Sequence, residues 1–191
     1  MDRASLNEIR QLQFKDPKQF LVKLRQLERS GVLTNSPSNI RSLRTNKLKE
    51  WREAREAALF CYGMGERIGQ PVYFAKSESQ DYDFVAKWIV GNNQYFAPVQ
   101  LKEVVPEKLN PKASLESIIE GLSKYVDSNN LTVAIYLNKQ IRFKPEELRE
   151  PNLKLAALWI FGSLKPDQST WRLWGNFLEP DPGISEFEYP E

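Results

Sequence analysis

The sequence predicts an α/β fold with a helical extension at its N-terminus, and three observations support this prediction. Residues 81–102 alternate between apolar and polar side chains around a Gly-Asn-Asn turn, which is typical of a β-hairpin. Residues 131–137 form a continuous apolar run, as in a strand that is buried on both faces. Two segments with helical spacing, at about 46–62 and 114–126, lie on either side of the hairpin.

Residues 1–45 are expected to form a basic N-terminal helical extension. Apolar residues at helical spacing predict a short first helix that includes Leu6 and Ile9. Asp16-Pro17 is a cap and first turn typical of a second helix, and Gly31 is its expected end. The apolar stripe of these helices is expected to pack on the core, with the Lys and Arg side chains facing a partner.

Residues 46–176 are expected to hold the α/β core. Gly63, Gly65 and Gly69 predict the end of the first core helix, which is expected at about 46–62. The expected strands, in chain order, lie at about 71–76, 81–90, 95–102, 131–137, 153–161 and, as an edge strand, 171–174. Residues 177–191 contain five acidic residues, three prolines and no lysine or arginine, so we expect a poorly ordered, flexible acidic tail.

The hairpin determines which side chains face one another. With a two-residue loop at Asn92-Asn93, Asp83 is expected to lie opposite Lys102. Gln100 shares the face of Lys102, because side chains alternate along a strand. Pro98 lacks a backbone donor, which predicts an edge, a bulge or a bend just before Gln100. A carboxylate, an amide oxygen and an ammonium group are therefore expected on one face of the sheet.

This grouping can hold a divalent metal ion and activate a water molecule. The chain has no histidine, so its metal ligands would be oxygen atoms, which favours Mg²⁺ or Mn²⁺. Asp81 has the same parity as Asp83 and stays open as an alternative ligand. The interpretation without a metal is a cross-strand ion pair between Asp83 and Lys102.

The order of elements around this motif resembles the PD-(D/E)XK nuclease superfamily, whose restriction-endonuclease-like core runs helix, three-strand meander, helix, strand. The resemblance covers about residues 46–161 and implies a metal-dependent endonuclease that hydrolyses DNA phosphodiester bonds. It implies that Asp83 is the principal metal ligand, with the side chain of Gln100 and the backbone carbonyl of Leu101 as further ligands. It also implies that Lys102 orients the attacking water or stabilises the developing charge.

Gln100 departs from the family pattern, since most members have Asp or Glu at this position. Some members, including a transposon-encoded end-cleaving endonuclease, are similar in having Gln there and a Glu from the first helix as an additional ligand. The resemblance therefore implies that Glu53 or Glu56 is a catalytic, metal-binding residue here. A neutral Gln leaves the site one negative charge poorer, so a weakened or lost activity also stays open.

The net charge is +2, but residues 1–52 contain twelve Lys or Arg and five Asp or Glu. Such a basic segment is typical of contact with a phosphate backbone, although a solvated helix face has the same composition. The expected nucleic-acid-binding residues are Arg41, Arg44, Lys47, Lys49 and Lys124. DNA is the expected partner, and two-strand cleavage by this fold favours a homodimer or a larger nuclease complex.

The composition favours a cytoplasmic protein without a membrane segment. No apolar run approaches the roughly twenty residues of a bilayer span, and the first residues lack a signal-peptide core. Cys61 is the single cysteine, which excludes an internal disulfide. Two other functions stay open: a non-catalytic DNA-binding module on a degenerate nuclease fold, and a protein-interaction domain. The latter would use the C-terminal aromatic residues Trp159, Trp171, Trp174 and Phe177.

Overall fold

The computed structural model describes residues 3–30, 49–77, 79, 81–126, 128–148 and 153–191. Within these residues, the helices are α1 (Arg3–Gln11), α2 (Pro17–Arg29), α3 (Lys49–Ile68) and α4 (Leu115–Glu120), which continues as a 3-10 turn over Gly121–Lys124; a second 3-10 turn spans Pro145–Leu148. The strands are β1 (Tyr73–Lys76), β2 (Phe84–Val90), β3 (Asn93–Val104), β4 (Ser128–Leu137), β5 (Leu155–Ser163), β6 (Thr170–Gly175) and β7 (Gly183–Glu188).

All seven strands form one mixed sheet in sequence order. Strands β1, β2 and β3 are antiparallel, β3, β4 and β5 are parallel, and β6 and β7 continue the sheet antiparallel. Buried side chains of α2 and α3 pack on one face and those of α4 on the other. The predicted α/β fold is confirmed. The apolar alternation of β4 explains the layering, since Ala134 and Tyr136 face α3 while Val133 and Ile135 face α4.

The described part of the N-terminal extension packs on the core, as its apolar stripe predicts. The Asp16 side chain caps α2 by accepting a 3.0 Å hydrogen bond from the backbone of Gln19. Leu21 of α2 is fully buried, and its carbonyl oxygen accepts a 3.0 Å hydrogen bond from the hydroxyl of Tyr189. Helix α2 therefore forms one wall of the α3 side of the molecule.

Helix α3 runs through Gly63 and Gly65, so the predicted end at about residue 62 is wrong, and only Gly69 of the three predicted glycines ends the helix. The helix ends only at Gly69, whose φ of 69° is the left-handed conformation that terminates helices. Position 63 of the helix is a glycine because any side chain there would clash with the ring of Phe187. The glycine is thus a packing position rather than a stop signal.

The prediction of a flexible C-terminal tail at 177–191 is also wrong, because this segment contains β7. Phe177, Phe187 and Tyr189 are all at most 6% exposed. Glu186 and Glu188 alternate with Phe187 and Tyr189, and both acidic side chains contact β6. Glu186 forms an ion pair with Arg172, and Glu188 accepts a 3.0 Å hydrogen bond from Thr170. Strand β6 is consequently covered by β7 and is not the expected edge strand.

Pro98 lies where β3 changes its neighbours. Parallel pairing with β4 begins at Val99, so the N-terminal part of β3 pairs with β2 alone. This is the edge position that the missing N–H of proline predicts. None of the helices in the described ranges is both long and apolar enough to cross a membrane.

Candidate active site

The β2–β3 hairpin has a register that differs by two residues from the predicted one. Its loop is Gly91-Asn92, with Gly91 at a φ of 58°, and Val90 pairs with Asn93. Glycine takes this left-handed conformation without steric cost, so it occupies the loop position that we had assigned to asparagine. Phe84 pairs with Val99, which places Asp83 level with Gln100 rather than opposite Lys102.

The backbone of Asp83 is held from both sides at the start of β2. Its N–H donates a 2.9 Å hydrogen bond to the carbonyl of Val99, and its carbonyl accepts a 3.2 Å bond from Ser77, just after β1. These bonds fix the direction in which the side chain leaves the sheet. The acid is therefore positioned by the strand ladder and not by a loose loop.

The carboxylate of Asp83 meets the two residues of β3 that the sequence analysis singled out beside it. The backbone N–H of Leu101 donates a 2.6 Å hydrogen bond to Oδ2, and the Gln100 side-chain amide donates to the same oxygen. The amide of Gln100 also lies 3.3 Å from the Leu101 carbonyl oxygen. Since Nε2 of Gln100 faces Asp83, a cation on Asp83 could bind Oε1 only after the amide group rotates.

The electrostatics of Asp83 identify which charges lie close to it. Burial raises its pKa above the ordinary value of 3.8, and the hydrogen bond from Leu101 opposes this rise. The negative charge of Glu53 raises the pKa further, while the positive charges of Lys102 and Lys49 lower it. One acid and two lysines of the predicted site thus act on the same carboxylate.

Of the two candidate glutamates, α3 brings Glu53 to Asp83 and carries Glu56 elsewhere. Glu53 lies 3.4 Å from Lys49 and lines a cavity of about 240 Å³ together with Asp83. Glu56 is 4% exposed and lies 3.8 Å from Arg52.

The physical reason for this separation is the helix geometry. Glu56 follows Glu53 by nearly one turn, about 4.5 Å along the axis, and its side chain is 5% exposed against 29% for Glu53. It lies near Tyr136, whose pKa is raised by burial, lowered by Arg55 and raised by Glu56. The expected role for Glu56 at the site with Asp83 is therefore not supported by its position.

Lys102 and Lys124 share one aromatic neighbour. The Nζ atoms of Lys102 and Lys124 lie 5.9 Å and 5.5 Å from the ring centroid of Tyr125. Tyr125 lines a second cavity of about 490 Å³ on the α4 side, with Gln100 and Asp81. Lys124 is thus placed beside the catalytic lysine candidate, while Asp81 lines a different cavity from the one with Asp83 and Glu53.

The other predicted nucleic-acid contacts divide into two groups. Lys49 lies at the site through its ion pair with Glu53. Arg41, Arg44 and Lys47 lie outside the described residues. The sequence analysis did not single out Lys15 or Lys76, which line the Asp83 cavity; only the position of Lys76 at the end of β1 signals a place near the start of β2.

The side chains beside Asp83 that could bind a cation would do so through oxygen atoms, since neither His nor Cys is among them. Across the part of the chain that the structure describes, no group of three or more His, Cys, Asp or Glu residues is arranged to hold a metal ion. Asp83 and Glu53 supply two carboxylates to one cavity, which Leu101 also lines. Gln100 directs its Nε2 atom at Asp83, so its neutral oxygen would become a ligand only after the amide rotates. Magnesium commonly binds through one or two carboxylates and fills its remaining positions with water and substrate phosphate. These residues therefore fit magnesium or manganese.

Comparison with known proteins gives no match to this chain among family models, curated proteins or solved structures.

Proposed function

We propose that this protein is a metal-dependent endonuclease that hydrolyses DNA phosphodiester bonds. The observation that carries the proposal is the meeting of Asp83 with Gln100 and Leu101, with Glu53 and Lys102 acting on the same carboxylate. The order α3, β1–β3, α4, β4 supports it, because this order resembles the helix, three-strand meander, helix and strand of the restriction-endonuclease-like core. In this chain β1–β3 are antiparallel and β4 is parallel to β3.

In this mechanism Asp83 and Glu53 would hold the cation, assisted by the carbonyl oxygen of Leu101 and, once its amide has rotated, by Oε1 of Gln100. A bound divalent cation lowers the pKa of water and neutralises charge on the phosphate. Lys102 supplies a fixed positive charge near Asp83, where it stabilises the negative charge that develops on the phosphoryl oxygens. Lys124 lies beside the same Tyr125 ring, where it would contact a neighbouring phosphate of the strand.

The proposal is tested by incubating supercoiled and linear DNA with the protein and magnesium or manganese. We expect nicking or cleavage that EDTA abolishes and that Asp83→Asn and Lys102→Met reduce by at least about a hundredfold, as for loss of a group that stabilises the transition state. Asp81→Asn is the matched control, because this exposed acid lines the other cavity. Cleavage by Asp83→Asn at the wild-type rate would overturn the assignment.

A second candidate is a non-catalytic DNA-binding module on the same fold. The hydrogen bond from Gln100 to Asp83 favours it, because a neutral amide satisfies the carboxylate without a cation. Such a module binds DNA equally well in EDTA and shows no thermal shift with magnesium. Metal-independent binding together with no cleavage of any DNA form selects this candidate over the nuclease.

A further inference from the structure

The cavity beside Asp83 is also lined by an aromatic pair, the exposed Trp51 and the half-buried Phe20. Trp51 on α3 is 50% exposed although its ring stacks on Phe20 of α2, with centroids 6.3 Å apart and planes inclined by 22°. Phe20 is fixed in turn by an edge contact with Phe74 of β1, at 5.5 Å and 81°. The exposed tryptophan therefore has a rigid support behind it.

The same cavity is lined by residues of the candidate active site. Its lining includes the small side chains of Ala54 and Ala57 on α3 and the carboxylates of Asp83 and Glu53. Backbone pairing holds two of its lining residues together: Lys15 exchanges hydrogen bonds of 2.7 and 3.1 Å with Phe74. One continuous space of about 240 Å³ thus joins a flat apolar surface to a carboxylate site.

We propose that this cavity accepts an unpaired nucleobase of the DNA strand, stacked on Trp51, next to the phosphate that is held at Asp83. An aromatic face stacks on a base whose own faces are not covered by neighbours, as in single strands. A base inside a regular duplex is covered on both faces and must first be extruded.

Two cations line the same cavity and suit the strand that carries such a base. Lys15 and Lys76 are lining residues, and Lys76 pairs with Glu50 at 2.7 Å on the exposed rim. A phosphate contact from either lysine positions the strand without selecting its sequence. The substrate class is therefore DNA with an unpaired nucleotide at the cleavage site, such as a single strand, a flap or a frayed end. This inference rests on the proposed function for the phosphate at Asp83.

The alternative role of Trp51 is to pack α2 against α3. A packing role needs only apolar volume, whereas base stacking needs an aromatic face. Trp51→Leu keeps apolar volume and removes the aromatic face, and Trp51→Phe keeps both in part. Tyr95→Ala is the matched control, because Tyr95 is also exposed, at 43%, and stacked on a second aromatic ring, Trp88, with centroids 5.6 Å apart.

The test measures binding of an end-labelled single-stranded oligonucleotide and of the matched blunt duplex by fluorescence anisotropy, in EDTA so that no cleavage is required. We expect tighter binding of the single strand. Trp51→Leu should weaken it by about tenfold, whereas Trp51→Phe stays within a few-fold of wild type and Tyr95→Ala is unchanged. Circular dichroism and thermal melting confirm that each variant is folded. Equal affinity of folded Trp51→Leu and wild type, or equal loss in Tyr95→Ala, would overturn the pocket.

Failure of the proposed base pocket at Trp51 is distinguishable from failure of the proposed nuclease function. Cleavage that needs Asp83 but binding that ignores Trp51 overturns the base pocket and leaves the nuclease intact. Binding that needs the aromatic face of Trp51, with no cleavage by wild type in any metal, supports the pocket and overturns the nuclease.

Discussion

The backbone N–H of Leu101 and the carboxylate of Asp83 are joined by a 2.6 Å hydrogen bond between neighbouring strands. This bond places the acid against the strand that carries Gln100 and Lys102, with no mobile loop between them. A site of this kind is held in position before any ligand arrives, which reduces the ordering that binding requires.

Gln100→Glu tests whether position 100 belongs to the metal site. The new carboxylate would lie beside Asp83, where Gln100 now donates a hydrogen bond. Without metal, the two negative charges should lower the melting temperature. With magnesium, the added negative ligand should raise affinity about tenfold, measured by calorimetry, and enlarge the thermal shift. An unchanged affinity would place residue 100 outside the metal's ligand set.

Glu53→Gln and Glu56→Gln should have different effects although the two residues belong to the same helix. Glu53 lines the Asp83 cavity, so its loss should remove most of the magnesium-induced rise in melting temperature. Glu56 is buried beside Arg52, so its loss should destabilise the fold by about 1–3 kcal/mol and keep the magnesium shift. Differential scanning fluorimetry with and without magnesium measures both effects. Loss of the shift in Glu56→Gln alone would reverse the assignment.

Periodicity was sufficient to predict the hairpin, the buried strand β4 and the neighbouring strands that bring Asp83 and Gln100 together. These features depend on residues close in sequence, and alternation reports them directly. The loop position was not predictable in the same way, because Gly91, Asn92 and Asn93 all tolerate turn conformations. A different choice among them changes the register by two residues and preserves the face of every side chain.

The remaining errors arose where a contact distant in sequence decides the local structure. A glycine such as Gly63 is typical of a helix end. Here it lies within the helix, because the ring of Phe187 leaves no room for a side chain. The alternation of Glu186, Phe187, Glu188 and Tyr189 was the available signal for β7, but nearby prolines and acids favoured a tail. The alternating segment becomes a strand because it pairs with β6, and no local sequence pattern reveals that partner.

Phe187→Ala tests the role of β7 in the core. The ring is 6% exposed and packs against Gly63 and, as a stacked pair at 6.5 Å, against Trp171. Its removal should lower the free energy of unfolding by about 3–5 kcal/mol, as for other buried aromatic residues. Ile184→Ala is the control in the same strand, because Ile184 is 55% exposed and should cost under about 0.5 kcal/mol. Urea unfolding measures both, and equal losses would contradict the buried role of β7.

Asp83→Asn should stabilise the protein near neutral pH, because the site carries a partly buried charge. The folded-state pKa of Asp83 lies above its ordinary value of 3.8, chiefly through burial. Between these two pKa values the folded state binds more protons than the unfolded state, so the free energy of unfolding falls as the pH rises. Above the folded-state pKa the full penalty is present, and Asn removes it.

The gain from Asp83→Asn should therefore be largest near neutral pH and should shrink as the pH falls toward the ordinary pKa of aspartate, where wild-type Asp83 becomes protonated in both states. Melting temperatures recorded for both proteins from about pH 8 to about pH 4, in EDTA, measure this difference. Asp81→Asn controls for the general effect of removing an acid, since Asp81 is exposed. A gain that grows toward low pH would show that the hydrogen bonds from Leu101 and Gln100 outweigh burial, and that Asp83 is stabilised as an anion before any cation binds.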